Sequence, residues 1–228
     1  AAHKKIDIQD LLRGSLNGIS IDVVDGLFSF SDFHKTGVFK HVMLQAMLQR
    51  TFRKSDFDAK QSYRDSHFGK EFILANLKGL RKILNKIQPS TEDSTWSNYE
   101  KTHSYNSCEE AVKMTFVRSM LETHKPRRVI DIGCNTGVYS RIASESVNTV
   151  VALDLDAACI DRLYKNCRND KIENIFPMVA NLLNPSPCMG WMMQERASLF
   201  DRIRGDAFLA LALVHHMAIS GNVPLKNF

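Results

Sequence analysis

Val129-Ile130-Asp131-Ile132-Gly133-Cys134-Asn135-Thr136-Gly137 is a short apolar run that ends in an acid and two spaced glycines. A second apolar run, Thr149-Val150-Val151-Ala152-Leu153, ends in Asp154, seventeen residues past Gly137. Strand, glycine turn, helix, strand, acid is the order in which an α/β sheet builds a pocket for an adenosine-containing ligand.

Outward from this stretch, the period alternates between strand and helix from Arg128 onward. It predicts strands at 128–132, 149–154, 175–180 and 206–213, with helices at about 137–146 and 157–168. Alternation of this length builds a Rossmann-like, doubly wound, mostly parallel sheet. Right-handed crossovers set the C-terminal ends of the first two strands side by side, where ligands bind. Upstream, Ser107-Cys108-Glu109-Glu110 reads as a capping box opening a helix, with Val112, Phe116, Val117, Met120 and Leu121 as its buried face and Pro126 as its stop.

Residues 1–106 form an N-terminal helical region and aromatic loop, and 107–228 form the ligand-binding domain. Helical spacing is read at Asp7 to Asn17, with Gly18 as its C′ residue, at Val38 to Phe52 and at Phe68 to Ile87. The last carries Lys78, Arg81, Lys82 and Lys86 opposite its apolar side, a stripe that suits a solvated face more readily than a phosphate-binding one. Gln88 to Asn106 reads as a loop that holds Trp96, Tyr99, His103 and Tyr105. These residues either cover a cofactor or line a substrate pocket, or they anchor the loop to the domain behind it.

Composition narrows the class. Hydrophobic residues make up 44% and charged residues 24%, as in ordinary globular proteins. Five cysteines without a CxxC pair argue against a disulfide framework and a structural zinc site, and point to a reducing, cytoplasmic compartment. No metal site is expected. The longest apolar run, Ala207 to Val214, is far short of a membrane span, and the basic N-terminus has no apolar segment behind it. A net charge of +5 is compatible with nucleic acid without requiring it.

The sign of the charge beside the turn separates two ligand classes. A dinucleotide site needs G-x-G-x-x-G so that a pyrophosphate can sit on bare backbone. Here the spacing is Gly133-x-x-x-Gly137 with Asp131 just before it. An acid there repels a pyrophosphate but suits the ammonium end of S-adenosylmethionine. Gly133 and Gly137 are expected to let the backbone approach the ligand, Asn135 to tolerate left-handed geometry between them, and Asp154 to accept the ribose hydroxyls.

Val129 to Gly137 resembles motif I of the class I S-adenosylmethionine-dependent methyltransferases, and Val150 to Asp156 resembles motif II. Met178-Val179-Ala180-Asn181 falls where the third strand of that family ends beside the adenine, which makes Asn181 a further candidate. Trp96-x-x-Tyr99-x-x-x-His103-Ser104-Tyr105, Asn184-Pro185-Ser186-Pro187 with Gly190-Trp191, and Leu211 to His216 with Asn222-Val223-Pro224-Leu225 resemble the nodulation-protein NoeA-like subgroup of that family. The resemblance implies S-adenosylmethionine as cofactor and methyl transfer as activity. Asn135 replaces a family glycine, and Asn181 replaces an acid.

Methyl transfer needs an aligned acceptor and, for some acceptors, a base. His215 and His216, just past the fourth strand, are the candidate bases; the competing reading packs one under the sheet and uses the other as a helix cap. Lys113 and Tyr105 are weaker pocket candidates. The acceptor itself (small molecule, protein or RNA) and the oligomeric state are not legible. A non-catalytic cofactor-binding or scaffold domain is the alternative, and an NAD(P)-dependent oxidoreductase a lesser one. A complete sheet of this family has about seven strands where this chain has room for four. The chain is therefore expected to be a fragment of a longer protein, with residues before Ala1, and its fourth strand to be unpaired on the far side.

Overall fold

The computed structural model describes residues 8–53, 70–86 and 107–227. The chain divides into two compact units, one within residues 1–90 and one within 91–228.

The first unit contains helices α1 (Ile8–Arg13), α2 (Ile21–Gly26), α3 (Leu44–Arg53) and α4 (Lys70–Lys86). Helix α1 stops four residues earlier than its apolar spacing predicts, because Gly14 follows and the Ser15 N–H closes a turn on the Leu12 carbonyl. Gly18 is left-handed, at φ +83°, but it lies in the connection to α2 rather than at the end of α1. Ser20 caps α2 by accepting from the Val23 N–H. A π-helical turn, Phe39–Met43, runs into α3, and Arg50 of α3 bridges Asp22 and Asp25 of α2 at 3.2 and 2.8 Å. The segment expected as an aromatic loop lies outside the described residues, and Trp96, Tyr99, His103 and Tyr105 lie outside them with it.

The second unit opens with α5 (Ser107–His124), which begins where expected. Its buried face is turned from the predicted one. Val117 and Leu121 are buried and Met114 packs beside them, whereas Val112 and Phe116 are exposed. The face that packs therefore runs Glu110, Lys113, Met114, Val117, Leu121, which is helical spacing about a different axis. Lys125 takes φ +46° and Pro126 follows, so the chain leaves the helix for the sheet.

The sheet is β1 (Arg128–Ile132), β2 (Thr149–Asp154), β3 (Ile175–Val179) and β4 (Ala207–Leu209), all parallel, in the order β3-β2-β1-β4. Helices α6 (Val138–Ser144) and α7 (Ala157–Asn169) are the crossovers between the first three strands. With α5 they cover one face, burying Val129, Val150, Ala152 and Ile175 against Ile142, Ile160 and Leu163. The path to β4 returns to the other side of β1 through the short helix α8 (Leu199–Arg202), which puts Leu199 and Ile203 over Ile130 and Leu153 on the second face. The expected Rossmann-like, doubly wound class is what the chain adopts. Strand order reverses between β1 and β4, and in such sheets the crevice at that reversal is where ligands bind.

Strand four is shorter than predicted. Pairing ends at Asp131↔Leu209, because β1 beyond that point runs into the Gly133 turn and offers no further partner. Residues 210–213 leave the sheet, Ala212 is left-handed at φ +57°, and helix α9 (Val214–Ile219) follows. Among the described residues β4 pairs only with β1. No helix among them is long and apolar enough to cross a membrane.

Candidate functional site

The turn after β1 is held by β2. The N–H groups of Gly133 and Cys134 both donate to the Leu153 carbonyl, at 2.8 and 3.0 Å. The Asn135 N–H donates to Oδ2 of Asp154 and the Asp156 N–H to its Oδ1, each at 2.8 Å. One carboxylate thus staples the glycine turn to the start of α7, where Asp156 in turn caps the helix through the Ala158 N–H. A carboxylate has about four lone-pair sites, so Asp154 keeps acceptor capacity after these two bonds. Gly133, Asn135 and Gly137 take φ values of +70°, +51° and +89°. Asn135 stands in left-handed geometry, as its residue type suggested.

The two glycines have different duties. A Cβ on Gly133 would meet Leu213 Cδ1 at 3.1 Å across the crevice. A Cβ on Gly137 would meet Leu163 Cδ1 at 2.3 Å, inside the core. Gly137 is the N-cap of α6 and does not line the crevice. Its bareness leaves room for the Leu163 side chain of α7.

A cavity of about 610 Å³ opens at the C-terminal ends of β1 and β2. Among the residues expected at a site, Asp131, Gly133, Asn135, Asp154, Asn181, Lys113 and His216 line it. His215 does not line it; it is exposed on α9 with its ring centroid 4.0 Å from that of His216. The two histidines sit in the first turn of a helix rather than at a strand end, because β4 ends early. Asn181 Oδ1 accepts from the Leu183 N–H at 2.9 Å, so the amide is oriented by its own loop.

Among the wall side chains that the sequence does not single out are those of Thr136, Glu110, Tyr139 and Leu213. Thr136 is buried on the wall, and its Oγ1 has no hydrogen-bond partner among the described residues. Glu110 and Tyr139 stand beside Lys113, whose Nζ lies 4.9 Å from the Tyr139 ring centroid. Leu213 arrives through the turn that replaces the end of strand four. Thr136 lies inside the quoted motif, and its hydroxyl was the available signal. The position of Tyr139 depends on how α6 meets α5, which no local pattern encodes.

Electrostatics concentrate on Asp131. It is buried, and its Oδ2 accepts from the Ser140 hydroxyl at 2.6 Å. Burial pushes its carboxyl up to about 6; the Ser140 bond opposes this, the charge of Asp154 adds to it and Lys113 draws it down. Asp154 is raised too, by burial, against the pull of the Asp156 and Asn135 amides. Burial and then the nearby carboxylates push the Cys134 thiol far up, and burial takes Cys159 to about 12. Both stay protonated, which leaves neither a nucleophile. All five cysteines are free, and no metal-binding group is found among the described residues.

No protein-family model matches the chain. The chain is similar to the nodulation protein NoeA of Rhizobium meliloti (strain 1021), with 32% identity over 219 residues. The match covers 94% of this chain and 45% of that protein, so the chain spans less than half the length of this relative. Solved structures with partial similarity include the YcgJ protein from Bacillus subtilis, at 20% identity, 30% of each chain and TM-score 0.28. A PRMT1 enzyme–prozyme complex of Trypanosoma brucei with AdoHcy shows 26% identity over 38% of this chain and 25% of that one, with TM-score 0.31. A SAM-dependent methyltransferase from Aquifex aeolicus shows 17% identity over 28% of this chain and 38% of that one, with TM-score 0.27. Over nearly its whole length the chain is similar to a nodulation protein, and the NoeA-like resemblance carried by its motifs is borne out.

Proposed function

We propose that the domain spanning 107–228 binds S-adenosylmethionine at the β1–β4 crevice and that the protein is an S-adenosylmethionine-dependent methyltransferase acting on a small-molecule, protein or RNA acceptor. The observation that carries this reading is the pair Asp131 and Asp154, at the ends of adjacent strands on either side of a left-handed turn, facing one cavity. The site fits the cofactor on two further counts. The unpartnered Thr136 hydroxyl supplies a donor and acceptor on the wall, and bare Gly133 leaves open the space that a side chain would fill toward Leu213. In this reading Asp154 holds the ribose hydroxyls, Asp131 attracts the ammonium group and Asn181 meets the adenine edge. When bound, the cofactor supplies a methyl group on a sulfonium whose leaving thioether is neutral. His216, on the wall, is positioned to take a proton from the acceptor through an imidazole nitrogen, with exposed His215 orienting it. Trp96, Tyr99, His103 and Tyr105 are retained as candidates for the acceptor pocket. Calorimetry with S-adenosylmethionine, S-adenosylhomocysteine and the nicotinamide dinucleotides tests the reading. Binding of both S-adenosyl ligands and neither dinucleotide is expected; binding of the dinucleotides alone would sink it. Labelled-methyl transfer to fractionated small molecules, RNA and protein then identifies the acceptor, and no transfer to any class would favour a non-catalytic binding domain.

Asp131 sets an opposition between stability and binding. Its carboxyl titrates higher folded than unfolded, from 3.8 to about 6. The stability it contributes is present below the unfolded value and is lost as pH rises through about 6. Cofactor affinity runs the other way, because the ammonium needs the anion. Asp131→Asn is therefore expected to raise the melting temperature of the unliganded protein at pH 8, by about 1–2 kcal/mol of stability. The same variant should lose about tenfold in S-adenosylmethionine affinity at that pH. Wild-type affinity should fall as pH drops below about 6, while the variant shows no such fall. Thermal melts and calorimetry from pH 5 to 8.5 check both directions; a variant that is less stable at pH 8 and more stable at pH 5 contradicts the assignment.

A further inference from the structure

Helix α6 begins without a side chain to cap it. Its N-cap is Gly137, and no side-chain bond is made there. The third helical residue, Ser140, is fully buried, and its hydroxyl donates to Asp131 across the β1–α6 contact at 2.6 Å. Asp131, on the preceding strand, is thus tied to the first turn of α6 through the Ser140 side chain. The arrangement ties a cavity-lining anion to a helix end, and Ser140 itself is not on the cavity wall.

We infer that Ser140 is a positioning residue: its hydroxyl keeps Asp131 ionised and fixed in place at the cavity wall, so that the charge state of the site depends on a residue that touches no ligand. The inference deepens the cofactor reading above and rests on it for its functional consequence. The charged and titratable groups facing Asp131 are Asp154 from β2, Lys113 from α5 and Cys134 from the turn. The thiol stays neutral in the range at issue and Asp154 opposes ionisation. That leaves Lys113 and Ser140 as the side chains that favour the anion, and the Ser140 bond is the stronger of the two. A short bond from a hydroxyl to a carboxylate is of the charge-assisted kind and is made only fully when the acid is ionised.

The test is a carboxyl ¹³C NMR titration of the full 228-residue chain, read at Asp131, alongside calorimetry with S-adenosylmethionine. Ser140→Ala is expected to move the Asp131 midpoint up by about one pH unit. Affinity at pH 6.5 should fall by about threefold, while affinity at pH 8.5 stays within about twofold of wild type. Ser140→Thr, which keeps the hydroxyl, should restore the wild-type midpoint. If Ser140→Ala does not fold, Ser140→Cys carries the same test, since a thiol fills the space but donates weakly. A midpoint that stays or falls in a folded hydroxyl-free variant overturns the inference. A midpoint that rises in a protein that binds no S-adenosyl ligand supports the role of Ser140 and overturns the cofactor reading instead.

Discussion

Gly137→Ala is expected to destabilise the second unit by about 2–4 kcal/mol, and the cost should come from the core rather than from the ligand site. Two contributions add. The residue sits at φ +89°, which costs an L side chain on the order of 1 kcal/mol. The new methyl would also lie 2.3 Å from Leu163 Cδ1 and 2.8 Å from Cδ2, and Leu163 is fully buried between α7 and the sheet. Inserting a carbon into a packed core typically costs about 1–3 kcal/mol. Thermal or urea unfolding measures the sum, with a fall in melting temperature of roughly 10 °C. A double-mutant cycle locates the cause. Leu163→Ala alone should cost about 2–5 kcal/mol through its cavity. In the Gly137→Ala/Leu163→Ala protein the second cost should be partly cancelled, because the added methyl enters the space that the leucine vacated. Strict additivity would mean that the strain is confined to the backbone. Gly133→Ala is the contrast: its methyl meets Leu213 at 3.1 Å across the cavity, so it should weaken binding more than folding.

That difference between two glycines marks how far the sequence could be read. The β1 turn, Asp131, Asp154 and the parallel order of the first three strands follow from local period and spacing, and the structure has them. What Gly137 touches is decided by Leu163, which lies on another helix and belongs to no local pattern. The buried face of α5 departs from its apolar period for a related reason. Val112, Met114, Phe116, Val117, Met120 and Leu121 surround much of that helix, so the apolar period alone admits more than one axis, and the sheet selects Met114, Val117 and Leu121. Strand four ends before its apolar run does, because such a run carries no sign of where its partner stops. Its length is set by β1, which turns away after Ile132. The residues released by that early end, Leu211 to Leu213, form part of the cavity wall, so the misplaced boundary and the unforeseen wall are one event. The sequence does not reveal the role of the Ser140 hydroxyl, because a serine in a first helical turn ordinarily serves its own helix. Here it reaches an acid on the preceding strand.

Asp154→Ala is expected to lower S-adenosylmethionine affinity by at least about a hundredfold, which corresponds to about 3 kcal/mol. The side chain has two tasks, and both are lost. It accepts the Asn135 and Asp156 N–H groups, which sets the turn and the start of α7, and it is the acceptor proposed for the ribose hydroxyls. Asp154→Asn should fall between the two, because its carbonyl oxygen can replace one acceptor while its amide offers donors where donors already point. The tasks are separable with ligand analogues. In the wild type, removing the ribose 2′-hydroxyl from S-adenosylhomocysteine should cost about tenfold or more in affinity, because a charge-assisted hydrogen bond is lost. In Asp154→Ala the same removal should cost almost nothing, since the partner is gone, although overall affinity is already low. If the 2′-deoxy analogue loses as much affinity in Asp154→Ala as in the wild type, Asp154 serves only to hold the turn. The ribose would then have to be met by another group at the end of β2, with Asp156, which also lines the cavity, the first to test.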